Sequence, residues 1–175
     1  MMNRIPKKIF LLLLSGWFTG MALAQPDPEA NLKAAFIYNF TRYIEWDSAA
    51  NAGKDFVIGV MGPSPVADAL SLISANNKVN NKRIVVQQYA KPEDIGSCQV
   101  LFIPKKIPYS LPSILERVNK GVLTISEEPG FARLGTALNF VLIKQKLKFE
   151  ASLKAFVISG LRASSQLLKL AIIVD

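Results

Sequence analysis

Apolar and polar positions recur first at helical spacing and then in short solid blocks. In LKAAFIYNFTRYIEW, residues 32–46, the positions Leu32, Ala35, Phe36, Asn39, Phe40 and Tyr43 return every three or four residues. That spacing predicts a helix with one side apolar except at Asn39. KDFVIGVMG (54–62) predicts a strand closed by the turn GPSP. Ser64 as cap, Pro65 in the first turn, and Val66, Ala69, Leu70 and Ile73 on one face then predict a helix. KRIVVQQY (82–89) and QVLFIP (99–104) read as strands joined by the turn-forming KPEDIGSC. The second of these is apolar on both faces, as a central parallel strand would be. SLPSILERVNK (110–120) predicts a helix stopped by Gly121, and VLTIS (122–126) a fourth strand. After the loop EEPGFARLG, the runs TALNFVLI and KLKFEAS are separated by only a few polar residues, which predicts an antiparallel hairpin. SLKAFVISG and SSQLLKLAIIV predict two closing helices broken at Gly160, each with a serine cap.

Strands alternating with crossovers long enough for parallel pairing place the chain in the α/β class. The expectation is a single domain over residues 32–175: a mixed, mostly parallel, Rossmann-like sheet flanked by helices, with a C-terminal antiparallel hairpin and helices.

The amino terminus changes what counts as the mature protein. Arg4, Lys7 and Lys8 precede an apolar run that ends in Ala22-Leu23-Ala24, the pattern of a secretory signal peptide over residues 1–24. Residues 25–31 read as a lead-in. Cleavage after Ala24 removes three basic and no acidic residues, so 18 basic against 13 acidic residues leave +5 rather than +8. That excess is too mild, with too few interleaved aromatics, for nucleic-acid binding. The later run LLKLAIIV is too short to span a membrane. Cys98 is the only cysteine, so no intramolecular disulfide forms, and its place beside QVLFI predicts burial. The chain has no histidine, which excludes imidazole metal sites and Ser-His or Cys-His nucleophiles.

The opening stretch carries a surplus of apolar surface. Ile37, Tyr38, Ile44 and Trp46 widen its apolar arc beyond one contact face, so a second cover is required: the same domain, a second copy, or another protein. Candidate binding residues follow from this. They are Phe36, Tyr38, Asn39, Arg42 and Tyr43 on the opening helix, and Glu127, Phe131 and Arg133 in the glycine loop. Asn39 reads as a buried, hydrogen-bonded residue. Glu127 and Glu128 read as a solvated loop rather than paired acids, Phe131 as a plug for the core, and Arg133 at the loop's rim as a plain surface charge ahead of an anchor for an acidic partner. The carboxyl edge of the sheet would present Gly62, Pro63 and Ser64, then Lys105 and Lys106, then Ser126 and Glu127, where small ligands bind in such folds. The phosphate-loop signatures GxxxxGK[ST] and GxGxxG are missing, and no cofactor or metal is expected. Lys144, Lys146 and Lys148 alternate along the hairpin, where they guard an exposed sheet edge.

Taken together, KAAFIYNFxRYIEW, FVIGVMG, CQVLFI, VLTIS, GFARLG, NFVL, KFE and the tail LxASSQLLKLAIIV resemble the YfiR family across residues 32–174. The resemblance implies a periplasmic, non-enzymatic α/β protein that dimerises and represses an inner-membrane diguanylate cyclase (YfiN-like) by binding its periplasmic sensor domain. It further implies relief of that repression by an OmpA-like outer-membrane lipoprotein (YfiB-like), and hence control of cyclic-di-GMP and biofilm formation. The family's redox-responsive disulfides have no counterpart, because Cys98 has no second cysteine to meet. Ser152 stands where the family often has Asn, and either residue caps a helix. The competing expectation is a periplasmic sensory module that binds a small molecule.

Overall fold

The computed structural model describes residues 27–46 and 53–174. The signal peptide reading therefore lies outside the described residues, as do Gln25 and Pro26 of the predicted lead-in. Asp27 starts the first element: its Oδ1 accepts from the backbone N–H of Glu29 at 2.9 Å and of Ala30 at 3.1 Å, and Pro28 needs no such partner. Helix α1 consequently spans Pro28–Phe40, so the rest of the lead-in is helical from Pro28 onward. The helix does not run to residue 46 as its periodicity predicts. The Thr41 hydroxyl donates to the Tyr38 carbonyl at 2.6 Å, and Ile44–Glu45 (β1) turns away to pair antiparallel with Arg162–Ala163 (β9).

Solid apolar blocks become the central sheet. Its strands are β2 (Asp55–Met61), β3 (Lys78–Val79), β4 (Lys82–Tyr89), β5 (Val100–Ile103), β6 (Leu123–Ser126), β7 (Leu138–Ile143), β8 (Lys146–Ala151) and β10 (Ile172–Ile173). They lie in the order β10-β8-β7-β6-β5-β2-β4-β3. The run β4-β2-β5-β6-β7 is parallel throughout, the β3–β4 and β7–β8 pairs are antiparallel, and β10 returns parallel to β8. The mixed, mostly parallel α/β domain read from the sequence is the fold observed. The order reverses between β2 and β5, the switch point of a doubly wound sheet.

Strand alternation sorts the core into two layers. Phe56, Ile58, Val60, Phe102 and Ile125 face α1 and α2 (Pro65–Ser74). Met61, Tyr89, Leu101 and Ile103 face the other way, onto Leu111 and Ile114 of α3 (Leu111–Leu115). Helix α3 is shorter than the predicted 110–120, because Val118 folds back onto this second layer. Short helices α4 (Phe131–Leu134), α5 (Leu153–Ser159) and α6 (Ser165–Leu170) complete the domain. The predicted final helix is divided: Ala171 is extended, and Ile172 and Ile173 pair with Glu150 and Ala151. An eight-residue apolar run has no internal signal that distinguishes this outcome from a buried helix.

One glycine has a packing reason. A Cβ at Gly59 would lie 2.6 Å from Tyr89 Cε2 and 3.1 Å from Leu101 Cδ1, and both neighbours are buried. Gly59→Ala is expected to lower stability by about 1–3 kcal/mol through overpacking. Urea unfolding measures this, and an unchanged midpoint would mean that the Tyr89 ring moves freely.

Candidate functional site

The carboxyl ends of the strands carry the expected residues with different roles. Gly62 donates its N–H to the Tyr89 carbonyl at 2.8 Å, and Ser64 Oγ accepts from Val66 N at 3.2 Å, which is turn and cap chemistry. Glu127, at the end of β6, is not a solvated loop residue. It is only 8 % exposed and its Oε2 accepts from the Lys33 ammonium of α1, while Oε1 accepts from Lys105 N at 3.0 Å. Lys33 is itself 7 % exposed and also meets Glu29 at 2.6 Å, one helical turn earlier. Burial alone would lower the Lys33 pKa, but the bonds to Glu127 and Glu29 outweigh it and hold the amine above its ordinary 10.5. Glu127 thereby ties together α1, the loop after β5 and the end of β6.

Beside this ion cluster opens a cleft of about 280 Å³, with Glu29, Lys33, Lys105 and Glu127 on one wall and Phe140 and Leu147 on the other. A larger cavity, about 470 Å³, lies at the amino ends of β2 and β5 and is lined in part by Asp55, Cys98 and Gln99. Ligands in such sheets bind at the carboxyl ends. Asp55 is moreover already held by Arg83, at 3.1 Å through each of two bonds. The smaller cleft is therefore the better candidate for a ligand.

Behind Glu127 runs a buried chain of polar side chains. Ser126 Oγ donates to Asn139 Oδ1 at 2.7 Å, which leaves Thr136 to donate to Ser126 at 2.8 Å. Asn139 Nδ2 then donates to Glu150 Oε2 at 3.0 Å. Ser126, Thr136 and Asn139 are wholly buried, so this chain fixes the register of β6, β7 and β8.

The candidate residues on the opening segment fall into separate places. The buried face of α1 is Ala30, Lys33, Ala34, Ile37 and Phe40, rotated from the predicted one. Asn39 is exposed rather than buried, and Leu32 on the same predicted face is exposed too. Phe36 is half-buried, with its ring 6.1 Å from Phe140 and 6.2 Å from Phe149. The Arg42 guanidinium lies over the half-buried Tyr38 ring at 5.7 Å. Tyr43 packs on the first core layer, and its carbonyl accepts from Ser164 N at 2.8 Å. Trp46 stands edge-on to Phe56 at 5.3 Å. The second cover for the aromatic surplus is thus largely the domain itself. Phe131 packs into the second layer, across the sheet from α1, with Arg133 exposed beside it, so the helix and the glycine loop do not form one patch.

Exposed aliphatic side chains gather in the C-terminal half instead. Leu134 of α4 is 68 % exposed and Val157 of α5 80 %, with Leu153 and Ile158 also open. Leu134 and Ile158 line one apolar groove with Leu115 and Val118. Lys33 was legible as a cation in phase with Ala30, Ala34 and Ile37, had the helix been phased from its true start at Asp27-Pro28. No sequence signal marked Leu134 or Val157 as surface.

Cys98 is buried as expected, and burial pushes its thiol up to about 11 and the adjoining Tyr89 hydroxyl to about 12. The Tyr89 hydroxyl finds no hydrogen-bond partner among the described residues. Both pKa values are raised by folding, so their stabilisation is complete below the unfolded values of 9.0 and 10.0 and is lost as pH rises toward the folded ones. Unfolding free energy is expected to begin falling near pH 9.0, by about 1.4 kcal/mol per pH unit for each group titrating in the unfolded state alone. Cys98→Ala should delay that onset to near pH 10.0. Urea titrations across alkaline pH measure it, and an identical onset in both proteins contradicts the assignment.

Among the described residues no helix is long and apolar enough to cross a membrane, and no three metal-ligating side chains cluster. Among curated proteins no significant match to the chain is found. The sequence profile of the family described as YfiR/HmsC-like, by contrast, matches residues 30–172, from the first turn of α1 to the start of β10. With that match spanning the whole sheet and both of its layers, the chain belongs to the YfiR/HmsC-like family, periplasmic regulators of cyclic-di-GMP signalling.

Proposed function

We propose that this protein is a non-enzymatic periplasmic repressor that binds the periplasmic sensor domain of a YfiN-like inner-membrane diguanylate cyclase and holds it inactive. The observation that carries this reading is the family match over residues 30–172. Repression follows if the protein binds the inactive receptor more tightly than the active one, since only differential affinity shifts a two-state equilibrium. Leu134, Val157 and Ile158 supply apolar surface of the kind a stable contact uses. A YfiB-like lipoprotein would relieve repression by competing for the same protein, and a homodimer is the proposed form. Deleting the gene should raise cellular cyclic-di-GMP and biofilm, and re-expression should restore both. Unchanged cyclic-di-GMP in the deletion strain overturns the reading.

A second reading, a small-molecule-binding sensory module, is favoured by the cleft that joins Lys33 and Glu127 to Phe140 and Leu147. A thermal-shift screen separates the two. A ligand present at 100 times its Kd adds about 2.7 kcal/mol of stability, and a screen of small metabolites without such a shift removes the second reading.

A further inference from the structure

The β7–β8 hairpin is built against its own turn chemistry. Its two central residues, Lys144 and Gln145, both sit at positive φ, 49° and 59°. The β3–β4 hairpin uses the same geometry with Asn80 and Asn81, at 49° and 63°. Asparagine tolerates that region far better than lysine or glutamine, so the second hairpin carries strain that the first avoids. Lysine at this tip therefore has a reason other than the turn.

The flanking residues supply one. From Glu128 to Glu150 no acidic residue intervenes, while Lys144, Lys146 and Lys148 all fall in the hairpin. Val141 pairs with Lys148 and Ile143 with Lys146, so two amines and two aliphatic chains share one face of the ribbon. Leu142, 55 % exposed, pairs with Leu147 on the other face. Glu150 bonds to the Asn139 amide rather than pairing with either lysine.

The backbone is open as well. Strand β10 pairs with β8 only at Glu150 and Ala151, a parallel register that engages the backbone of Phe149 and Ala151, so residues 146–148 have no strand on that side among the described residues. In a two-residue hairpin the closing pair, Ile143 and Lys146, exchanges its hydrogen bonds inward, so the backbone groups of Leu147 point to the open side. Edge lysines repel stray neutral strands. The same lysines favour a strand of opposite charge.

We propose that the open edge of β8 at residues 146–148 takes up an extended acidic segment of a partner protein as an added strand. The segment's carboxylates would lie beside Lys146 and Lys148, and its alternate apolar side chains beside Leu147. An anionic membrane would be drawn to the same lysines but leaves the open backbone groups of Leu147 unpaired, so a strand fits the edge better. The assignment rests on the reading of this protein as one that acts by docking. Its test involves no cyclase, so failure here leaves cyclase binding to be judged separately.

The probe is a capped peptide alternating Glu and Val, titrated into residues 25–175 of the chain, with a Lys–Val peptide and anionic phosphatidylglycerol vesicles as the other arms. Binding is read by anisotropy, and amide exchange at Leu147 is read by NMR. The expected result is saturable binding of the acidic peptide alone, with slowed exchange at the Leu147 amide and an affinity reduced about tenfold or more in Lys146→Glu/Lys148→Glu. The charge-reversed protein should instead take the Lys–Val peptide. No protection at Leu147, binding indifferent to charge reversal, or uptake by vesicles without uptake of the peptide each overturns the proposal.

Discussion

Lys33→Met is expected to lower the unfolding free energy by about 3–5 kcal/mol, because it strands the Glu127 carboxylate in a buried site with only the Lys105 N–H as partner. Glu127→Gln should cost less, about 1–2 kcal/mol, since Lys33 retains Glu29 and the amide oxygen still accepts from Lys105. Replacing both charges at once, Lys33→Met with Glu127→Met, should recover most of the loss, as apolar substitutes for a buried pair commonly do. Denaturant midpoints of the three variants decide the matter. A Lys33→Met protein as stable as wild type would mean that the pair is solvated and clamps nothing. The raised Lys33 pKa adds a pH signature. Its contribution is complete below 10.5 and declines as pH passes the folded value, so the wild-type advantage over Lys33→Met shrinks in strong alkali.

Phe40→Ala should be comparably damaging, at about 3–5 kcal/mol. The Phe40 ring is 2 % exposed and lies 4.8 Å from Phe149, 5.9 Å from Phe140 and 5.8 Å from Phe36. Its removal opens a cavity where α1 rests on the hairpin strands. Phe36→Ala, at a half-buried ring, should cost distinctly less. Calorimetry of both variants tests the ranking, and equal small losses would show that α1 is seated mainly by its ion pair.

These two substitutions mark what the sequence disclosed and what it withheld. Strands β4, β5, β7 and β8 were legible because each is a contiguous apolar or alternating run with turn residues on either side. The start of α1 was legible in principle from Asp27-Pro28, yet phasing the helix from Leu32 placed Asn39 inside and Lys33 outside, the reverse of what is observed. Strands β1, β9 and β10 were not legible. Each is two residues long and exists through a partner distant in the chain, such as Ile44 with Ala163. The site shows the same division. Lys105 and Glu127 were placed correctly at the carboxyl edge, but the ion pair joins residues 94 positions apart, and no local pattern reports that. The aromatic run of residues 32–46, which suggested a surface in need of a partner, is largely covered by Phe56, Phe140 and Phe149. Among the exposed apolar side chains are Leu134 of α4 and Val157 and Ile158 of α5, where the sequence looks ordinary.

Docking therefore has to be tested on the molecule rather than inferred from aromatic content. The most direct measurement is isothermal titration of residues 25–175 into the purified periplasmic domain of the candidate cyclase. Saturable binding, weakened about tenfold or more by Val157→Asp or Leu134→Asp in otherwise folded protein, is the predicted result. No binding by wild-type protein at concentrations well above physiological would contradict the account.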